Sequence, residues 1–235
     1  MEQSTRNQRP PQKHQPKGLP ILYEDRDILV VNKPAGLLTI GTERDKTRTA
    51  HYLLNDYVRK GDPKSRNRVY VVHRLDQETS GLLLFARSEA VKQFLQEHWE
   101  ATEKHYLAIV HGRLSAQEGI LTSYLAENSA QRVYSTADAA KGKLSRTAYR
   151  VLRETRDFSL VEIHLLTGRK HQIRVQFADL GHPVAGDKKY GTGELSTRRL
   201  ALHARAIAFT HPYNGRLMRF DTGMPEEFTR MLAKL

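Results

Sequence analysis

Five side chains able to do chemistry fall within eight residues: His73, Arg74, Asp76, Thr79 and Ser80. A carboxylate in such company can act as a nucleophile or a base, and the guanidinium and imidazole can hold anions or protons beside it. Two apolar runs, Val69–Val72 and Leu82–Ala86, flank the group. Runs of this length bounded by polar residues and glycine read as buried strands. A buried strand on each side would hold the polar middle rigidly, and loops set on rigid scaffolds are where chemistry is usually placed. The plainer alternative is a turn, with Asp76 closing an Asx-turn and Thr79-Ser80-Gly81 re-entering the sheet.

The elements needed to position this stretch can be read along the chain. Ile21–Val31 predicts two strands around a turn at Glu24–Asp27. Asn32-Lys33-Pro34-Ala35-Gly36 follows as a turn with Lys33 at its edge. Residues 47–58 predict a helix with Ala50, Leu53, Leu54 and Tyr57 on one face. Arg59–Arg68 carries five basic groups and one acid and runs straight into the central stretch. Such a loop would help to hold a phosphate backbone, or is a solvated surface. Ser88 is a good N-cap for a helix to about Trp99, and Lys104–Gly112 predicts a strand. Short strands are expected near 120–125 and 131–135, and longer ones over Ser145–Leu152 and Phe158–Leu166. Ile173, Phe177 and Leu180 at i, i+4 and i+7 predict an amphipathic helix stopped by Gly181 and Pro183. Arg169 and Lys170 sit near its start, where cations oppose the helix dipole, a hint of phosphate binding. Leu200–Phe209 alternates as a strand, His211–Gly215 turns it into Leu217–Phe220, and Pro225 opens a last helix. Many antiparallel strands with a few helices, and no βαβ alternation, imply an α+β fold: a mixed, mainly antiparallel sheet flanked by helices.

Composition limits the partners. The 235 residues carry a formal net charge of +12, with a pI near 9.9. A balance that basic points to a polyanion, usually nucleic acid. Hydrophobic residues make up 39% of the chain, enough for a core. Cysteine is absent, which removes thiol nucleophiles, thiolate metal sites and disulfides and fits a reducing cytoplasm. The apolar runs are too short to span a membrane, and no hydrophobic signal segment opens the chain. Residues 1–18 hold no aliphatic residue except Met1 and no aromatic, with Arg6, Arg9, Lys13 and Lys17 against Glu2 alone. They are expected to form a disordered basic arm before a single domain over residues 19–235.

His73-Arg-Leu-Asp-Gln-Glu-Thr-Ser-Gly-Leu-Leu83 resembles the signature segment of the RluA-type pseudouridine synthases, enzymes that isomerise uridine to pseudouridine in structured RNA. Three further blocks resemble the family in the expected order: Asn32–Gly36, Lys104–Gly112, and Thr167–Arg174 running through Leu180–Asp187 to Tyr190-Gly191. Two positions depart from the family's pattern. Thr39-Ile40-Gly41 stands where a His is common, and Gln176, taken here as peripheral, replaces a common His. The resemblance implies the pseudouridine synthase fold, in the compact branch without an S4 domain. It assigns Asp76 as the catalytic carboxylate, acting covalently at C1′ or abstracting a sugar proton. Tyr106 becomes the stacking platform and the base for the C5 proton. Arg174 would pair with Asp76, and Leu202 would pack on the opposite side of the base. Arg74 would fill the space left by a flipped nucleotide. His73, Lys33, Arg169, Lys170 and His171 complete the expected substrate-binding set.

The expected function is therefore a cytoplasmic, monomeric RNA pseudouridine synthase, an isomerase acting on a stem-loop of ribosomal or transfer RNA. It would use no cofactor or metal and need no membrane or protein partner. One alternative is an inactive RNA-binding domain of the same fold, against which stand Asp76, Tyr106 and Arg174 together. Another is a metal-dependent nuclease, drawing on eleven His residues and on His73-x-x-Asp76 and His182…Asp187. Neither pair has a helical ligand motif.

Overall fold

The computed structural model describes residues 15–41, 45–191, 197 and 199–234. They form two compact units where composition suggested one domain. The first runs up to Ala101 and includes Phe209–Met218; the second is Thr102–Ala208 with the chain from Arg219 onward.

In the first unit, β1 (Ile21–Glu24) and β2 (Ile28–Lys33) form a hairpin. β2 pairs antiparallel with β4 (Ser80–Ala86), from Ile28 opposite Ala86 to Lys33 opposite Gly81. The two-residue strand β3 (Tyr70–Val71) pairs with the end of β4. Ile28–Val31 and Leu83–Ala86 are wholly inaccessible to solvent, so both faces of these strands are covered, as their continuous apolar runs require. α1 (Ala50–Arg59) buries Ala50, Leu54 and Val58. Its N-cap is Thr49, whose hydroxyl accepts the Tyr52 N–H. α2 (Glu89–Glu97) starts at the expected cap, with Ser88 Oγ accepting the Val91 N–H. Each such cap is worth about 1 kcal/mol.

The second unit is an antiparallel sheet in the order β10-β5-β9-β8-β6-β7, with β11 against β10. Its strands are β5 (Glu103–His111), β6 (Glu118–Glu127), β7 (Val133–Thr136), β8 (Lys143–Glu154) and β9 (Phe158–Leu165), with β10 (Leu202–Thr210) as far as Ala208 and β11 (Leu217–Asp221) from Arg219. The core gathers Leu107–Val110, Leu160, Val161 and Ile163 from β5 and β9 with Ile173 and Phe177 of α3 (Gln172–Asp179) and Phe228 and Leu232 of α4 (Glu226–Lys234). Full burial of a ring such as Phe177 contributes about 1.5–3 kcal/mol.

Three expectations change. The basic arm lies outside the described residues as far as residue 14, but Gln15 already belongs to the fold: its Oε1 accepts the Ile21 N–H at 3.0 Å. α3 is not amphipathic in the expected way. It ends at Asp179, so Leu180 lies 41% exposed, while Gln172 and Gln176 are buried beside Ile173 and Phe177. Strand β6 is longer than its few apolar residues suggested, because β8 and β7 pair with it on either side. Among the described residues no helix is long and apolar enough to cross a membrane.

Candidate active site

Asp76 sits at the start of a tight turn, its carbonyl accepting the Thr79 N–H at 3.1 Å. Thr79 is buried, so the turn is anchored at its far end. The residues on either side of Asp76 are fixed through their backbones. On the near side, the Thr39 hydroxyl donates to Leu75 O at 2.9 Å and accepts the Leu75 N–H at 3.2 Å. One side chain thus satisfies both backbone groups of the residue before Asp76. On the far side, Gln77 O accepts from Lys33 Nζ at 3.0 Å and from the Gly36 N–H at 2.9 Å. The Gln77 amide returns a bond to Gly36 O at 3.2 Å. Gly36 has φ +86°, a conformation that glycine adopts at no steric cost.

Lys33 is expected at the edge of a turn and among the substrate-binding residues, but the structure makes it an internal support. Its side chain is wholly buried. Its three ammonium hydrogens match three carbonyls, Pro34 O (3.0 Å), Leu37 O (2.8 Å) and Gln77 O (3.0 Å). A buried charge is tolerated only when satisfied in this way. Burial pulls its pKa down to about 8, against the upward pull of the Glu78 and Asp76 carboxylates. Lys33 therefore bolts the Pro34–Leu37 turn to the residue after Asp76.

His73 is half-buried and also built in. Its Nε2 accepts the Leu84 N–H at 3.1 Å, and its ring stacks on Trp99 with centroids 4.5 Å apart. The residue between His73 and Leu75, Arg74, is exposed.

In the second unit, Tyr106 lies in the central strand β5, between Ile163 of β9 and Ala204 of β10. It is partly accessible and packs on the main core. A register irregularity in β10 between Ala204 and Ala206 lies beside it. Leu202, expected against the base, is 4% exposed and belongs to that core.

Arg174 has a partner that sequence reasoning missed. Its Nε and Nη2 form a fork with Oδ2 and Oδ1 of Asp187, at 2.7 and 2.8 Å. The Asp187 side chain is fully buried and that of Arg174 nearly so. Burial alone would raise the Asp187 pKa, but the Arg174 guanidinium and the Lys189 and Tyr190 N–H groups together hold it below the usual carboxylate value. The face of the guanidinium lies 5.1 Å from the centre of the Tyr190 ring, a cation–π contact. Burial raises the Tyr190 pKa, so its hydroxyl stays protonated. That hydroxyl bonds to His171 Nδ1 at 2.8 Å and accepts the Val133 N–H at 3.2 Å. His171 is held in the left-handed region, φ 54°, at the start of α3. It is thus a support under Tyr190. Lys170 is ion-paired with Glu127, and Arg169 is exposed.

Two glutamines of α3 replace helix-surface polarity with buried bonds. Gln172 uses both ends of its amide: Oε1 accepts from Arg169 N and Thr167 Oγ1, and Nε2 donates to Arg146 O and Thr147 Oγ1. Gln176 is not peripheral. It is 4% exposed, and its Nε2 donates to Ser145 O at 3.0 Å and Ser123 Oγ at 2.9 Å.

One cluster of potential metal ligands occurs among the described residues: Asp25, Asp27 and His211, in the first unit. Its geometry is that of a hydrogen-bond hub. His211 Nδ1 accepts the Tyr213 N–H, so Nε2 carries the proton and donates to Asp25 Oδ2 at 2.8 Å. Tyr23 donates to the same oxygen, and Oδ1 accepts the Asp27 and Ile28 N–H groups.

Comparison with known proteins agrees with this architecture. The RNA pseudouridylate synthase family matches residues 27–179. The RNA pseudouridine synthase YlyB of Bacillus subtilis (strain 168) is 34% identical over 234 residues, covering 94% of this chain and 74% of its own. The ribosomal large subunit pseudouridine synthase D of Nitrosomonas europaea is 35% identical over 238 residues, covering 95% and 68%. The structure of human RNA pseudouridylate synthase domain containing 4 shares the fold, with a TM-score of 0.76 at 23% identity and 92% of each chain covered. The chain belongs to the RNA pseudouridylate synthase family. It is an isomerase that converts uridine in RNA to pseudouridine.

Proposed function

We propose that Asp76 is the carboxylate that drives this isomerisation, with Tyr106 and Arg174 as its helpers. The reaction breaks the bond between C1′ and N1, turns the uracil, and joins C1′ to C5; the C5 proton leaves and N1 gains one. Nothing is gained or lost overall, so the chemistry needs only acid–base and covalent steps. Attack at C1′ and removal of a sugar proton both require an ionised Asp76. Arg174 supplies the positive charge that favours that form. Tyr106, partly accessible in a rigid strand, stacks on the uracil and takes the C5 proton. Arg74, exposed two residues before Asp76, enters the stack vacated by the flipped nucleotide.

The observation that carries the assignment is the double hold on Asp76. Leu75 is fixed by Thr39 and Gln77 by Lys33, so the carboxylate projects from a turn immobilised on both sides. The relative from Nitrosomonas europaea is named for the large ribosomal subunit. We take structured RNA of the ribosome, or transfer RNA, as the substrate, met in the cytoplasm by a monomer.

The test is Asp76→Asn. The replacement is nearly isosteric, but an amide is neither a nucleophile at C1′ nor a base. Pseudouridine formation should stop, while the thermal midpoint and RNA affinity hold or rise. Substantial product from a well-folded Asp76→Asn protein would sink the assignment.

A further inference from the structure

The loop between α1 and β3 stands apart from the chemistry described so far. Lys60, Lys64, Arg66 and Arg68 lie exposed on it, as does Arg59 at the end of α1. Among the described residues, none of the five forms an ion pair. Three cations elsewhere on the surface are matched and offer a control: Lys92 with Glu89, Arg113 with Glu154 at 3.4 Å, and Lys141 with Asp138 at 3.2 Å. The single acid of the loop, Asp62, is turned to its own backbone, Oδ1 accepting the Lys64 N–H at 2.9 Å.

The loop is also built into the fold. Lys60 caps α1 in the left-handed region, its N–H donating to Tyr57 O. Ser65 N–H donates to Asp62 O, and Asn67 N–H to Ser65 Oγ. The far end is tied to the middle of α1: Val69 N–H donates to Asn55 Oδ1 at 3.0 Å, and Val69 O meets His51 Nε2 at 3.1 Å. Five like charges are thus held close together on a short span, a self-repulsion that a bound polyanion relieves. From Arg68 the chain passes through β3 to Asp76, eight residues on. At about 3.3–3.6 Å per residue this limits their separation to roughly 30 Å.

We propose that Arg59–Arg68 is a phosphate-binding surface that grips the RNA backbone outside the target nucleotide. The proposal rests on the RNA substrate of the Proposed function. It adds that the enzyme holds a strand longer than the uridine it modifies, through contacts that read charge and not base. Such contacts act on affinity and its salt dependence. They leave the rate at saturating RNA alone, because they are the same in the ground and transition states.

The experiment compares two variants of equal net charge. In one, Lys64, Arg66 and Arg68 are each changed to Gln. In the other, the ion-paired Lys92, Arg113 and Lys141 are changed to Gln. Each is titrated with a fluorescent RNA stem-loop bearing loop uridines, at several salt concentrations, with thermal melts alongside. The loop variant should show a slope of log affinity against log salt shallower by about 2–3, since each cation contributes about 0.7–0.9. Its affinity at about 0.1 M salt should fall on the order of 10- to 100-fold. The control should change the slope by less than one. Equal losses in both variants would reduce the effect to net charge and overturn the proposal, as would an unchanged slope in the loop variant. Should the triple variant melt early, the single changes Lys64→Gln and Arg66→Gln carry the same test at about one-third of the slope. The binding comparison uses no product assay. Failure of this surface and failure of Asp76 as catalyst are therefore seen separately.

Discussion

The Asp76 turn of the first unit and the Arg174 helix of the second are held by different means. The turn that carries Asp76 is fixed through backbone atoms of its neighbours: Thr39 to Leu75, and Lys33 and Gly36 to Gln77. Around Arg174, they go to the charged group itself: Asp187 along the edge of the guanidinium and Tyr190 beneath its face. The contrast follows from what each group has to do. Fixing Leu75 and Gln77 sets where the Asp76 carboxylate sits, through the chain that carries it. A guanidinium meant to stay charged loses nothing by being clamped directly, since it is never deprotonated.

If that contrast is right, breaking the clamp on Arg174 should harm stability and turnover together. Asp187→Asn removes the buried negative charge but keeps an oxygen for the Lys189 and Tyr190 N–H groups. Leaving a nearly buried guanidinium without its carboxylate costs about 3–5 kcal/mol. For a chain of this length that is a drop in thermal midpoint on the order of 10 °C, with turnover falling as well. The same pair predicts acid sensitivity. The Asp187 pKa lies lower in the fold than in the unfolded chain, so its stabilisation is complete above the ordinary carboxylate value. It is lost as pH falls from there through the folded value. A midpoint unchanged in Asp187→Asn would show that Arg174 does not depend on the Asp187 charge for its place.

The bolt on the first unit should show its effect in rate more than in stability. Lys33→Met removes three donors from the Pro34, Leu37 and Gln77 carbonyls at a cost on the order of 2–3 kcal/mol, partly offset because a buried charge also goes. Turnover should fall on the order of 10- to 100-fold as Gln77 and Asp76 loosen. In the wild type, the folded pKa near 8 lies below the ordinary lysine value of 10.5. Above pH 8 the folded protein gives up this proton before the unfolded chain does, so this group does not weaken the fold as pH rises; its contribution to stability increases. The neutral amine has only two hydrogens for three carbonyls, so turnover should fall through pH 8 while the melt holds. Loss of turnover that tracks loss of stability over that range would refute a positioning role.

The features legible in the sequence were those that follow from local pattern. Apolar runs marked β2, β4, β5 and β9, and Ser88 marked the start of α2. What escaped was set by distant partners. Charge suggests a ligand contact, so Lys33 read as a substrate-binding group, whereas the turn supplies three carbonyls that bury it. Asp187 lies thirteen residues from Arg174, beyond one helix and a turn, where no periodicity links them. Gln176 read as peripheral because its partners lie far off in sequence, on strands β6 and β8. The division into two units was hidden because Phe209–Met218 returns to the first, where His211 meets Asp25 across 186 residues of chain.

The finest probe of the contrast is Thr39, where one hydroxyl does the work of a clamp. Thr39→Val keeps the shape and removes the oxygen, leaving the Leu75 N–H and C=O without their partner in a buried place. The expected cost is about 1–3 kcal/mol. The carboxylate itself is untouched, so RNA affinity and KM should stay near wild type. Turnover should fall several-fold, because the freed Leu75 widens the range of positions that Asp76 visits. Thr39→Ser restores the hydroxyl without the methyl and should recover most of the rate. A general loss of packing predicts a different pattern: serine, the smaller side chain, would then be no better than valine. A lowered melt in Thr39→Val with turnover unchanged would leave Thr39 a structural residue and confine the positioning of Asp76 to the Lys33 side of the turn.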